Sequence, residues 1–132
     1  MSLTENLPLF TAWSNDTHYY FGFAEQLRNL MNSGDVVIGI SGSGNSQNVL
    51  NGISYANSVG GKTIGLIGFS GGKLKDLAQE YVIVPSHNMQ RVEDLHLVLA
   101  HLITSYLRRH LESLNDKSSE GATSRGLPDE GV

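Results

Sequence analysis

The sequence predicts an α/β protein: a parallel sheet with helices on both faces, three layers in all. Three observations carry this. Short apolar runs rich in β-branched residues recur at "DVVIGI" (35–40), "KTIGLIGF" (62–69) and "YVIVPS" (81–86). Each run is followed by a polar, small-residue loop and then a helical pattern. The connections are short. Continuous rather than alternating apolar runs suit strands covered on both faces, and strand–helix–strand units of this length close through right-handed crossovers.

In chain order, residues 4–13 form a short helix that Thr4 caps. Ser14-Asn15-Asp16 reads as a break and a new cap. Behind it Tyr20, Phe23, Leu27, Leu30 and Met31 recur at helical spacing, and Asn32-Ser33-Gly34 ends that helix. The first strand follows, then a serine- and glycine-rich loop, then a helix over 47–59 that Gly60-Gly61 stops. After the second strand come the loop "SGG" and a short helix "KLKDLAQE" (73–80). The third strand leads into the longest helix, Met89 to about Ser113. Val92, Leu95, Leu99, Leu102, Ile103, Tyr106 and Leu107 stripe that helix, and Leu97, Val98 and Ala100 carry the stripe round the cylinder. A helix apolar on most sides wants burial on most sides, which predicts a homo-oligomer. Residues 1–113 read as one domain. The segment 114–132, polar and Gly/Pro-bearing, reads as a disordered tail.

The whole chain has 132 residues, room for one core. A net charge of −4 excludes a sequence-independent nucleic-acid binder, which needs a clustered basic face. Arg108-Arg109, near a helix end, serves the helix dipole. The chain has no cysteine, so disulfides, thiolate nucleophiles and zinc–thiolate sites are out. No run approaches the roughly 20 apolar residues of a membrane span, and "MSLTENLPLF" lacks a signal-type segment. The expected setting is cytoplasmic.

Ser41, Gly42, Ser43, Gly44, Asn45 and Ser46 lie between a strand's carboxyl end and a helix's amino end, where ligands bind in open α/β sheets. The positive end of the helix dipole and its free N–H groups favour an anion there. Glycines permit close approach, and three serine hydroxyls can donate to phosphate oxygens. The loop lacks the Gly-Lys-Ser/Thr of a nucleoside-triphosphate loop. It also lacks the third glycine and the distant acid of a dinucleotide site. A tight turn with a serine cap and no ligand is the alternative; three serines and two glycines in six residues favour a phosphate.

The stretch from Gly34 to Ser86, with "SNDTHYYFGFAEQL" before it and "QRVEDLHLVLAHLI" after it, resembles the second half of a sugar isomerase (SIS) domain of the phosphoheptose isomerase type. The resemblance runs from Ser2 to about Arg109. It implies a flavodoxin-like α/β/α fold, a tetramer or dimer with sites where subunits meet, and interconversion of sedoheptulose 7-phosphate and a glycero-manno-heptose 7-phosphate. By the same resemblance Ser41, Gly42, Ser43 and Ser46 match the phosphate loop, and Asn15 and Asp16 match residues that contact the sugar. His101 matches a histidine serving at the sugar and as a zinc ligand. Glu93 stands where the family has a glutamine in that role. Positions eight apart differ by about 80° round a helix, so Glu93 and His101 can share a side, and a carboxylate with an imidazole suits both zinc and acid–base work.

The other histidines read differently. His96 belongs to the apolar stripe and reads as structural. His87 and His110 read as solvent-facing, and His18, next to the Asn-Asp pair, is left without a role. The family's first strand, its Gly-Asn-Gly-Gly-Ser loop and a following helix with the remaining zinc ligands have no counterpart here. The resemblance therefore implies an N-terminally truncated domain: a fragment, a misassigned start or a split gene. It also implies an apolar edge exposed at the first strand and little isomerase activity from this polypeptide alone. The alternative function is a non-catalytic SIS module that binds a phosphosugar or a protein partner such as a replication initiator.

Overall fold

The structure, a computed structural model, describes the backbone of residues 1–123 and the side chains through Asn115. Contacts divide it into two compact units that meet in sequence between His96 and Leu97. The first unit holds the sheet.

Helix α1 spans Leu7–Asp16. Its cap is Asn6, whose Oδ1 accepts from the Leu9 N–H at 3.1 Å, with a proline in the first turn. Thr4 pairs with Ser2 instead. The expected break at 14–16 does not occur. The hydroxyls of Ser14 and Thr17 turn back onto the carbonyls of Phe10 (2.7 Å) and Trp13 (2.6 Å), so they are satisfied by the helix rather than ending it early. The single helix expected behind it is a 3₁₀ turn, Tyr19–Phe21, capped by the His18 ring, followed by α2, Gly22–Leu30. Phe10 contacts Tyr19 and Phe23 at ring-centroid distances of 5.6 and 4.9 Å, so the chain turns around that ring. Of the expected stripe only Leu27 is buried; Ala24 and Gln26 join it, while Tyr20 and Leu30 are exposed.

Three strands, β1 (Val36–Ser41), β2 (Lys62–Gly68) and β3 (Glu80–Val84), pair in parallel in the order β1-β2-β3. Ser41 lies opposite Ile67, and Gly68 opposite Val84. The α/β class and the parallel sheet are as the sequence predicts. β2 ends one residue early because Phe69 adopts φ 51°, and β3 ends before Pro85, which has no N–H for a ladder.

Helices α3 (Gln47–Ser58) and α4 (Gly72–Leu77) cover one face of the sheet. There Leu50, Ile53, Ile67, Leu74 and Ala78 form the core, with Val37, Val49, Leu77 and Ile83 packed against it. Burying a side chain such as Ile53, Ile67 or Leu74 contributes about 1.5–3 kcal/mol each. At the amino end of β2 the buried Thr63 donates to Asn57 Oδ1 (2.8 Å) and accepts from the Gln79 N–H (3.1 Å), while Asn57 Nδ2 donates to the Leu77 carbonyl. That network ties the end of α3 to the entry of β3.

Helix α5 spans Met89–Thr123, and Asn88 caps it by accepting from the Arg91 N–H at 3.0 Å. It passes the expected end at Ser113 because residues 114–120 contain neither glycine nor proline. Residues 114–123 of the expected tail are therefore helical in backbone, and 124–132 lie outside the described residues.

Candidate functional site

The loop after β1 is built from its buried serine outward. Ser41 is 4% exposed. Its Oγ accepts from the Gly44 N–H at 3.1 Å and donates to Ser46 Oγ at 3.0 Å. Ser43 Oγ accepts from the Asn45 N–H at 3.2 Å. Ser46 occupies the cap position of α3 yet makes no side-chain cap. Its Oγ accepts from Ser41, which leaves the first-turn N–H groups of α3 without a cap from Ser46. Asn48 Oδ1 accepts from the Val49 N–H at 2.9 Å; the other first-turn donors, the dipole end and the hydroxyls of Ser43 and Ser46 lie along this one loop, the chemistry of an anion site.

A second loop braces the first. Gly44 has φ 68°, and a Cβ on it would fall onto the Gly71 carbonyl, so only glycine lets the two loops interlock. Across that contact Leu74 N–H donates to the Gly44 carbonyl (2.9 Å) and Lys73 N–H to Asn45 Oδ1 (3.1 Å). A Cβ on Gly68 would lie 2.5 Å from the Gly42 carbonyl oxygen, and one on Gly42 would lie 2.5 Å from Met89 Sδ. The start of α5 therefore sits directly on the loop. Asn45 and the 68–72 loop have this bracing role, which the sequence pattern does not announce; the dipeptide Gly71-Gly72 is the available signal.

The structure thus brings Ser41, Gly42, Ser43 and Ser46 together. Asn15 and Asp16 end α1, both exposed, with Asn15 Nδ2 donating to Asp16 Oδ1 at 3.2 Å. Their bond is to each other rather than to the serine loop. Glu93 is exposed on α5 within the first unit, and His101 is exposed within the second. His96 is 5% exposed, as a structural role requires, although its Nε2 has no hydrogen-bond partner among the described residues. His87 and His110 are exposed, as expected. His18 Nδ1 accepts from the Tyr20 N–H at 3.2 Å, a local capping role.

Among the described residues no three His, Cys, Asp or Glu side chains cluster as a metal would need. Glu93 and His101 supply at most two of the three protein ligands usual for a catalytic zinc. The donors present do not complete a zinc site. Among the described residues no helix is long and apolar enough to cross a membrane.

Comparison with known proteins places this architecture. The phosphoheptose isomerase of Helicobacter pylori strain P12 is 40% identical over 115 residues, 87% of this chain and 60% of the relative. That of a Nitratiruptor species is 39% identical over 107 residues, covering 81% and 57%. Among solved structures, the phosphoheptose isomerase of Neisseria gonorrhoeae matches with TM-score 0.80 and 31% identity, over 83% of this chain and 61% of that one. The chain therefore spans about 60% of the length of such relatives. The family model described as SIS domain matches residues 1–68, and on that match, joined to the fold just described, the chain belongs to the SIS domain family.

Proposed function

We propose that this chain is the phosphate-holding portion of a phosphoheptose isomerase, taking a sugar phosphate such as sedoheptulose 7-phosphate in the loop Ser41–Ser46. The observation that carries the reading is Ser46. It occupies a helix cap, yet its Oγ accepts from Ser41 rather than from a first-turn N–H, leaving the amino end of α3 without a serine cap beside Ser41 and Ser43. The similarity to phosphoheptose isomerases supplies the substrate class.

In this reading phosphate binding orients the sugar, and Asn15 and Asp16 position its hydroxyls. Isomerisation moves a proton between adjacent carbons through an enediol, with His101 and Glu93 as the acid–base groups this chain contributes. The chain works in the cytoplasm as a homo-oligomer. Supporting the assembly, one side of α5 leaves Leu95 47%, Val98 51%, Leu102 60% and Tyr106 70% exposed, more contiguous apolar surface than a lone helix keeps in water.

Calorimetry of the 132-residue chain with sedoheptulose 7-phosphate tests the reading, with turnover assayed in parallel in the presence of zinc. Saturable binding that Ser46→Ala weakens supports it. Absence of binding, together with co-purification of a stoichiometric protein partner, moves the chain to the non-catalytic alternative.

A further inference from the structure

The residue after β2 is a phenylalanine held where the backbone disfavours it. Phe69 has φ 51°, the single non-glycine positive φ among the described residues. For a bulky side chain this is a genuine outlier, and such outliers persist where the surroundings or the function require them. Its neighbours Gly68, Ser70, Gly71 and Gly72 are all small. Turn chemistry alone would place glycine or asparagine at this position, so the ring is kept against the local backbone preference.

The ring is not buried in the core. Phe69 is half-buried and stacks on the exposed His87, with centroids 5.5 Å apart and planes 17° from parallel. Phe69 follows the carboxyl end of β2, and His87 lies in the loop after β3. The serine loop follows the carboxyl end of β1. Because the strands are parallel, all three lie at one end of the sheet. They are also adjacent there, since Gly68 abuts the Gly42 carbonyl and Gly71 abuts Gly44. Beside a loop rich in N–H and O–H groups thus stands a stacked, partly exposed aromatic pair that lies outside the core.

We propose that Phe69 and His87 form an aromatic wall that packs against the carbon chain of the ligand whose phosphate the serine loop holds. The wall selects multi-carbon sugar phosphates over inorganic phosphate or short phosphoesters. The proposal rests on the phosphate-loop reading above. An aromatic face offers apolar contact and a negative quadrupole to the C–H groups of a polyol, while the hydroxyls on its other side stay free for polar partners. The two residues are specificity-determining and take no part in proton transfer.

The test is calorimetric titration of the full chain with three probes: inorganic phosphate, glycerol 3-phosphate and sedoheptulose 7-phosphate. Phe69→Asn removes the ring while keeping a residue at ease with positive φ. His87→Ala removes the other half of the wall, and His87→Phe restores a stacked ring. Expected is a loss of about 3- to 10-fold in sedoheptulose 7-phosphate affinity for Phe69→Asn and a smaller one for His87→Ala. Inorganic phosphate should stay within about twofold, and His87→Phe should recover the loss. Should Phe69→Asn fail to fold, the His87 pair reads the same contrast. Unchanged affinities, or equal losses for all three probes, overturn the wall while leaving the phosphate loop standing. If the wild type binds none of the probes, the loop reading itself falls and takes the wall with it.

Discussion

The two faces of the sheet are made of the same residue types and meet opposite fates. On one, Val37, Ser41, Thr63, Ile67 and Ile83 alternate under α3 and α4, with Thr63 and Ile67 at 1% and 0% exposure. On the other, Val36, Ile38 and Ile40 of β1 are 61%, 42% and 51% exposed, and Val82 of β3 is 43% exposed. Only Leu66, Gly68 and Val84 are buried there, and Val92 at the start of α5 packs against Gly68. A run such as "VVIGI" specifies a strand covered on both sides, yet Val36, Ile38 and Ile40 of β1 stay exposed among the described residues. β1 also pairs along a single edge among the described residues. The closed face is what holds the fold, and the open one leaves the apolar side chains of β1 exposed among the described residues.

The largest expected effect sharpens that contrast. Ile67→Ala, at a fully buried site, should cost about 2–5 kcal/mol. Ile38→Ala, the same chemistry on the open face of β1, should cost under about 1 kcal/mol. Urea denaturation of both variants checks this. Equal losses would break the comparison, because Ile38 would then be buried in solution by a second copy.

Gly44→Ala comes next. It forces a Cβ against the Gly71 carbonyl at a positive φ, so the serine loop and the 68–72 loop must part. The expected cost is at least about 2 kcal/mol of stability, with loss of sugar-phosphate binding in the same titration. Ser46→Ala should separate binding from folding. Its side chain is exposed and caps nothing, but it accepts from the buried Ser41 Oγ, so stability should fall by only about 1 kcal/mol. Affinity for a phosphate ester should fall about 10-fold, the worth of one charge-assisted hydrogen bond.

These same regions mark what can be read in the sequence. The strands and the serine loop are legible because an unbroken β-branched run and a glycine–serine cluster each have few structural meanings. The strand ends are less so: β2 stops at Gly68 only because Phe69 turns to positive φ, which propensity would never assign to phenylalanine. The break expected at Ser14–Asp16 fails for a similar reason, since whether a serine caps a new helix or bonds back into the old one depends on neighbours such as Phe10 and Trp13. Gly71 braces the site by abutting Gly44, and Asn45 does so through Lys73, 28 positions away. Single-position patterns carry no trace of such pairs. The long reach of α5 is hidden because a polar, serine-rich composition masks the absence of a breaker over 114–120.

The smallest effect concerns Glu93, one turn beyond Met89, which itself rests on Gly42. An exposed carboxylate at this position neither packs nor caps, so Glu93→Gln should leave stability within about 0.5 kcal/mol. Its charge nevertheless repels an incoming phosphate dianion across partly aqueous space, an effect of order 0.5–1 kcal/mol at low salt. The variant should therefore bind sedoheptulose 7-phosphate about 2- to 5-fold more tightly in dilute buffer, and the gain should vanish near 1 M salt, where the screening length is about 3 Å. A gain that survives high salt would mean that the amide adds a hydrogen bond to the sugar, a contact in addition to the field.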